Sequence, residues 1–118
     1  MSNPSESGIH APGAPDPVPI FAALGDSTRL QLAARLADGR PRSIAQLSVG
    51  LPITRQATTK HLRVLEGAGL VRSGRHGREN RFTWVPERVE DARSYLEALS
   101  AQWDDALARL KSFVEAPE

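Results

Sequence analysis

The segment TRQATTKHLRVLEGAGLV, residues 54–71, decides the fold. Placed on a helix at about 100° per residue, it separates into two sides. One side is predicted to pack against the domain, with Thr58 and Leu62 at its edges; its other members are Ala57, His61, Val64 and Leu65. The opposite side is polar and cationic, and it consists of Arg55, Gln56, Thr59, Lys60 and Arg63. Such a face, with almost nothing acidic beside it, is suited to contact with a polyanion.

A second, shorter helix is predicted directly before this segment. Ser43 and Gln46 have the spacing of a capping box, and Ile44 and Leu47 give the short helix an apolar side. A proline closes the short helix, and Thr54 is the predicted N-cap of the next one. The sequence therefore predicts two consecutive helices joined by a tight turn.

Two short β-type runs follow, at residues 70–74 and 81–85. The connecting RHGREN contains Gly77 and Asn80, which suit a tight turn, so the runs predict a hairpin with basic residues near its tip. Two short helices followed by a basic hairpin are typical of a winged helix-turn-helix, in which the second helix lies in the major groove of DNA. A solvated basic face is the alternative for an isolated helix, but this context favours DNA.

The candidate DNA contacts come from the predicted recognition helix, about residues 54–67, and the predicted wing, about residues 70–85. They are Thr54, Arg55, Gln56, Thr59, Lys60, His61, Arg63, Arg75, Arg78 and Arg81. Arginine and glutamine can bind base edges, while lysine and threonine suit phosphates or bases. For His61, a hydrogen bond within the domain is an equally good alternative.

A long final helix is predicted over about residues 87–115. Apolar residues step by three and four along it: Val89, Ala92, Leu96, Leu99, Trp103, Ala106, Leu110 and Phe113. So small a domain cannot cover a helix of this length, so we expect the seam to pack against a second copy. The candidate dimer contacts on this helix are Leu96, Leu99, Trp103, Leu107, Leu110 and Phe113.

The distribution of charge supports two surfaces of different character. The net charge of the 118 residues is only +1, but residues 29–81 hold eleven Lys or Arg against three acids, giving +8. Residues 86–118 hold four bases against eight acids, giving −4. A basic middle and an acidic end predict one surface for a polyanion and another for a different partner.

The N-terminal residues are predicted to be a tail. Residues 1–19 contain five prolines, two glycines and three serines, so we expect residues 1–17 to be disordered and residues 18–118 to form one domain. The N-terminus lacks the pattern of a secretory signal, and no apolar run approaches the roughly 20 residues of a membrane span. We therefore expect a cytoplasmic protein without a membrane partner.

Catalytic and metal chemistry are not indicated. The chain has no cysteine and three histidines, and His10, His61 and His76 do not pair with one another or with carboxylates at ligand spacing. No nucleophile elbow, phosphate loop or zinc-protease motif occurs. We expect no enzyme activity, no bound metal and no cofactor.

The sequence resembles the ArsR/SmtB family of bacterial transcriptional repressors over about residues 20–115. The resemblance is carried by LGDSTRLQL, by the opening segment, by GRHGRENRFTW and by the terminal DARSYLEALSAQWDDALARLKSFVE. It implies a homodimer whose first and last helices form the interface, which adds Ile20 and Phe21 to the candidate dimer contacts. It also implies binding to an inverted-repeat operator through Arg55, Gln56, Thr59 and Lys60, with release when a signal arrives.

The sequence departs from metal-sensing relatives in two places. Those relatives carry a cysteine motif in the third helix, where this chain reads SIAQLSVGL, or histidines in the last helix, where this chain has none. The chain therefore resembles the branch that lacks metal-sensing sites, and a small molecule, a partner protein or no inducer at all are alternatives. A winged-helix protein-interaction module and a nonspecific DNA-compacting protein are the alternative functions.

Overall fold

The computed structural model describes residues 16–115. The elements in chain order are α1 (Val18–Leu24), α2 (Ser27–Leu36), β1 (Arg42–Ser43), α3 (Ile44–Ser48), α4 (Arg55–Gly67), β2 (Val71–His76), β3 (Glu79–Trp84) and α5 (Pro86–Glu115). This order confirms the predicted winged helix-turn-helix with a long last helix. Among these described helices, none combines the length and the apolar character needed to cross a bilayer.

Backbone and side-chain hydrogen bonds define the start of α1. Asp16 Oδ1 accepts a hydrogen bond from the backbone N–H of Val18 at 3.0 Å, and the carbonyl of Pro17 accepts from Ile20 at 3.0 Å. These contacts begin α1 at Val18, the residue at which the predicted domain starts. Residues 1–15, where the rest of the predicted tail falls, lie outside the described residues.

Polar side chains define the starts of α3 and α4. Ser43 Oγ accepts from the backbone N–H of Gln46 at 3.2 Å, and Gln46 Oε1 accepts from the backbone N–H of Ser43 at 2.8 Å. Thr54 Oγ1 accepts from the backbone N–H of Ala57 at 3.0 Å. Both predicted caps are confirmed, and they fix the helix-turn-helix pair at each helix start.

The end of α4 is equally well defined. The backbone N–H of Leu70 donates to the Leu65 carbonyl at 3.0 Å, and that of Gly69 donates to the Glu66 carbonyl at 2.9 Å. Gly69 has φ +79°, so these bonds form a Schellman motif that only glycine closes without strain.

Arg88 of α5 packs over this turn. A Cβ placed on Gly69 would lie 3.1 Å from Arg88 Cγ, and Arg88 Nε donates to the Ala68 carbonyl at 3.4 Å. The start of α5 therefore holds the end of α4.

The wing is a three-stranded antiparallel sheet with the order β1-β3-β2. The sequence predicted only the hairpin, because two residues of β1 carry no readable alternation. Strands β2 and β3 are longer than predicted, so their turn contains only Gly77 and Arg78. Gly77, at the first turn position, has φ +66°, which is the pattern of a type II′ hairpin.

The hydrophobic core lies where α1, α2, α3, α4 and the sheet meet. Its largest fully buried apolar side chains are Phe82, Ile20, Leu32, Leu36, Leu47, Leu62, Leu65 and Leu70. From α5, Ala92 is buried in this core and Val89 packs against it. Burial of each leucine contributes about 1.5 to 3 kcal/mol, so Leu62 and Leu65 hold α4 firmly against the domain.

The buried side of α4 differs from the predicted one. Thr58, Leu62 and Leu65 are buried, whereas Val64, placed on the packed side by its hydrophobicity, is 44% exposed. Thr58 can occupy the centre of the packed side because its hydroxyl donates to the Thr54 carbonyl at 3.0 Å. A threonine with its hydroxyl satisfied packs as an apolar residue, which simple hydrophobic periodicity does not register.

Candidate nucleic-acid interface

The exposed side of α4 carries a cationic strip, defined here as Arg55, Gln56, Thr59 and Lys60. The side chains of Arg55, Gln56 and Lys60 are exposed and make no hydrogen bond or ion pair within residues 16–115. The first turn of α4 contains no acidic residue, so the positive end of the helix dipole adds to these charges. The strip is therefore free to bind an anion or the polar edge of a base.

The hydroxyl groups of Thr54 and Thr59, at this end of α4, are left with different capacities for a further hydrogen bond. Thr54 Oγ1 accepts from the Ala57 N–H, so its own hydroxyl proton remains available to a phosphate. Thr59 Oγ1 donates to the Arg55 carbonyl at 2.8 Å, so its oxygen is left to accept. A phosphate therefore suits Thr54, and an amino group of a base suits Thr59.

His61 lies on the side of α4 that faces α2. Arg29 Nη1 donates to His61 Nδ1 at 3.3 Å, and Asp26 Oδ2 lies 3.8 Å from the same nitrogen. The hydrogen bond from the backbone N–H of Arg29 and the nearby positive charge of its guanidinium hold the pKa of Asp26 below its usual range. Of the two alternatives for His61, the structure contains the hydrogen bond within the domain.

Arg63 is exposed, but it is engaged with the wing. Its Nη1 pairs with Glu66 Oε1 at 2.6 Å and lies 3.4 Å from Ser73 Oγ on β2. The Ser73 hydroxyl donates to Glu66 Oε2 at 2.7 Å, and the Arg63 guanidinium lies 5.4 Å from the centre of the Phe82 ring. The Ser73 hydroxyl and the Arg63 guanidinium lower the pKa of Glu66. Arg63 thus connects α4 to the sheet, whereas the cations of the strip have no partner in the described part of the chain.

The register of the hairpin separates its basic residues. Ser73 contacts α4, and alternation along β2 places Arg75 on the same face. Arg78 is exposed in the turn, whereas Arg81 lies on the opposite face and pairs with Glu79 at 2.9 Å. The structure therefore brings Arg75 and Arg78, more directly than Arg81, to the side and tip of the wing beside α4.

Arg72 is an exposed cation that the sequence analysis did not include. It lies opposite Thr83 on the same face as Arg81. Arg72 lies within the predicted run 70–74, and its position between Val71 and Ser73, which face the opposite side of the strand, was the available signal.

The helix α5 exposes a surface of the opposite character. Helical spacing places Leu96, Leu99, Trp103, Leu107, Leu110 and Val114 in one row, which we call the apolar strip. Trp103 is 62% exposed, and Leu107 and Leu110 are similarly open. Val114 has the same spacing but was not among the predicted dimer contacts. Phe113 was among them and is 80% exposed, but it lies beside the row. Thirty residues span about 45 Å, so much of α5 extends past the core.

The two α1 residues proposed for a dimer interface have different environments. Ile20 is 0% exposed and belongs to the core of its own chain, so its side chain has no surface left for a partner. That assignment is corrected. Phe21 is only partly buried, and its ring packs on Tyr95 of α5 with centroids 5.8 Å apart. Phe21 therefore lies where α1 meets the long helix.

No arrangement of metal ligands accompanies these surfaces in the described part of the chain. Residues 16–115 contain no group of three or more histidine or carboxylate side chains placed to hold a metal ion. The chain contains no cysteine.

Comparisons with known proteins agree with this architecture. Residues 24–74 match the family described as a helix-turn-helix domain. The chain is 30% identical over 96 residues to the HTH-type transcriptional regulator Rv2034 of Mycobacterium tuberculosis, covering 81% of this chain and 86% of the relative. It is 46% identical over 65 residues to the uncharacterized HTH-type transcriptional regulator YuzN of Bacillus subtilis, covering 50% of this chain and 71% of the relative.

A solved structure extends the comparison to nearly the whole described fold. An ArsR-like transcriptional regulator from Rhodococcus sp. RHA1 superimposes with a TM-score of 0.71 at 38% identity. The match covers 86% of this chain and 94% of that regulator. With the capped recognition helix and the basic wing, these similarities show that the chain belongs to the ArsR family of winged helix-turn-helix, DNA-binding transcriptional regulators.

Proposed function

We propose that the protein is a homodimeric repressor that binds an inverted-repeat operator. In each chain α4 enters the major groove of one half-site, and the wing lies against the adjacent backbone. The observation that carries the proposal is the cationic strip, whose charged and amide groups have no partner within residues 16–115. The first turn of α4 beside them contains no acidic residue.

Different residues at this end of α4 contact different parts of the DNA: some bind base edges and others bind backbone phosphates. Arg55 and Gln56 have side chains that form two hydrogen bonds with guanine and adenine edges respectively, so they select sequence. Lys60 and the Thr54 hydroxyl suit phosphates, as do Arg75 and Arg78 on the wing. Phosphate contacts dominate affinity, so binding falls steeply as salt increases.

The apolar strip of α5 provides the second half of the proposal. An exposed row of leucines with a tryptophan costs free energy in water, and a second copy of the same helix would cover it. Pairing of two copies is self-complementary about a twofold axis, which places two α4 helices for the two halves of an inverted repeat. The repressor acts in the cytoplasm, and a small molecule, a partner protein or no inducer at all are the alternatives for its release.

The proposal is tested by titrating the protein against the promoter upstream of its own gene at several salt concentrations. Shuffled DNA of equal length is the control, and sedimentation gives the number of chains bound. Preference for the promoter with two chains per site supports the proposal. Equal affinity for shuffled DNA indicates a compacting protein, and the absence of DNA binding indicates a protein-interaction module.

A further inference from the structure

The segment DSTR, at the start of α2, forms a connection that the proposed DNA contacts do not use. Asp26 Oδ2 caps α2 by accepting from the backbone N–H of Arg29 at 3.0 Å. Arg29 Nε donates to the Ala23 carbonyl of α1 at 2.6 Å, while its Nη1 donates to His61 of α4 at 3.3 Å. One guanidinium therefore connects α1 and α2 to the recognition helix.

The chemistry of this contact assigns a protonation state to His61. A guanidinium can only donate hydrogen bonds, so Nδ1 of His61 must accept. The ring is then neutral and carries its hydrogen on Nε2. A hydrogen on Nδ1 would set two donors 3.3 Å apart, and a ring protonated on both nitrogens would also place a positive charge beside the guanidinium.

The charged groups facing His61 come from α2. They are Arg29 and Asp26, and the Asp26 carboxylate, 3.8 Å from Nδ1, lies farther from it than the guanidinium nitrogen of Arg29 at 3.3 Å. The segments α1 (VPIFAAL) and α3 (IAQLS) carry no charged residue, and β2 reaches α4 at Arg63. Protonation therefore exchanges a hydrogen bond with Arg29 for repulsion from it.

We propose that His61 is a positioning residue that, in its neutral form, fixes α4 against α1 and α2 through Arg29. The inference rests on the proposed operator binding and adds a regulation to it: operator binding weakens when His61 gains a proton. A histidine that contacts phosphate would do the opposite, because a positive ring binds a phosphate more tightly. The sign of the pH effect distinguishes the two roles.

The test uses the full chain with His76→Gln, which removes the imidazole of the wing. Operator affinity is measured as the pH falls through the range in which histidine ordinarily gains its proton. In this background His61→Asn retains an acceptor close to the Nδ1 position, so it is expected to keep the affinity and to lose the pH effect. His61→Leu removes the acceptor and is expected to weaken binding by about three- to tenfold at every pH.

His61→Gln is the matched control. Its amide oxygen lies near the Nε2 position, so it is expected to behave like the leucine variant rather than the asparagine variant. Urea unfolding of each variant shows whether affinity falls further than a loss of folded protein explains. Rescue by glutamine instead of asparagine, or affinity that rises as the pH falls, would overturn the proposal.

A measurement on the free protein separates this inference from the proposed function. The ¹⁵N chemical shifts of His61 report which ring nitrogen carries the hydrogen. A neutral ring protonated on Nε2 supports the Arg29 contact whether or not the operator has been found. A ring protonated on Nδ1 overturns the inference even if the operator is bound tightly.

Discussion

The recognition helix α4 and the long helix α5 each present an exposed strip, but the strip on α4 is cationic and the strip on α5 is apolar. On α4 the apolar residues Leu62 and Leu65 are buried, while Arg55 and Lys60 have no protein partner among the described residues. On α5 several charges pair with one another: Arg93 lies 2.8 Å from Glu90 and 3.0 Å from Glu97. The apolar strip is open on the same helix.

This difference indicates what each helix binds. Ion pairs along a helix surface add little stability, but they neutralise charge that would oppose close approach of another protein surface. The arrangement on α5 therefore suits an apolar partner, and that on α4 suits an anionic one.

The largest effect is expected from a charge placed in the apolar strip. Leu110→Glu would bury a carboxylate between two α5 helices, so the chains should separate. Loss of the linked second half-site should weaken operator binding by about 100-fold or more. Sedimentation gives the oligomeric state and a titration gives the affinity.

Ser112→Glu is the matched control because it adds the same charge on another side of α5. It should leave both measurements unchanged. Fluorescence adds a direct readout: Trp103 emission should shift to the red in the Leu110 variant as the indole becomes hydrated. A monomeric wild-type chain that binds operator tightly would contradict the role assigned to the strip.

A smaller but sequence-dependent effect is expected on α4. Arg55→Ala should weaken operator binding by about 5- to 150-fold and reduce discrimination at one base pair, because a bidentate base contact is lost. Arg63→Ala is the internal comparison, since Arg63 already pairs with Glu66 and should matter less. Titration against single-base operator variants measures both. Equal losses for the two arginines would place Arg63 in the DNA contact as well.

Arg78→Ala in the wing should have a weaker and more uniform effect. Loss of one phosphate contact should lower affinity for all sequences alike and reduce the salt slope by about one. Titrations at several salt concentrations give that slope. Arg93→Ala, which removes a paired cation from α5, should leave the slope as it is.

The smallest effect concerns the connection between α4 and the wing. The pKa of Glu66 is lower in the folded protein than its ordinary value of 4.5. The ionised carboxylate therefore stabilises the fold fully at pH values above 4.5, and this stabilisation is lost as the pH falls through the lower folded pKa. Glu66→Gln should reduce the free energy of unfolding at pH 7 by about 0.5 to 1 kcal/mol. The difference from wild type should shrink towards pH 3.

Urea unfolding at the two pH values measures this difference. Asp104→Asn, which removes an exposed carboxylate from α5, is the control and should leave the unfolding free energy unchanged. A constant difference between wild type and Glu66→Gln at pH 7 and pH 3 would mean that Glu66 acts through packing rather than through its charge.

The elements that sequence predicted well are those with local signals. The Ser43 capping box, the Thr54 cap and the spacing along α5 are each readable within a few residues, and the structure has all three. The cationic strip was also predictable, because charged residues at helical spacing remain exposed whatever the domain does around them.

The features that were missed depend on contacts between distant residues. His61 meets Arg29, which lies 32 positions earlier, and Arg63 meets Ser73 across the turn into β2. Ile20 was assigned to an interface by resemblance, but the surrounding helices bury it. Local periodicity cannot distinguish a residue buried in its own chain from one buried by a second chain.

The open strip of α5 has a consequence for dosage. If two chains must pair before they hold the operator, occupancy at low concentration rises with the square of the amount of protein rather than in proportion to it. A twofold change in synthesis then changes repression nearly fourfold. The strength of pairing through the apolar strip would then set the protein concentration at which the gene responds, although the strip lies away from the residues that contact DNA.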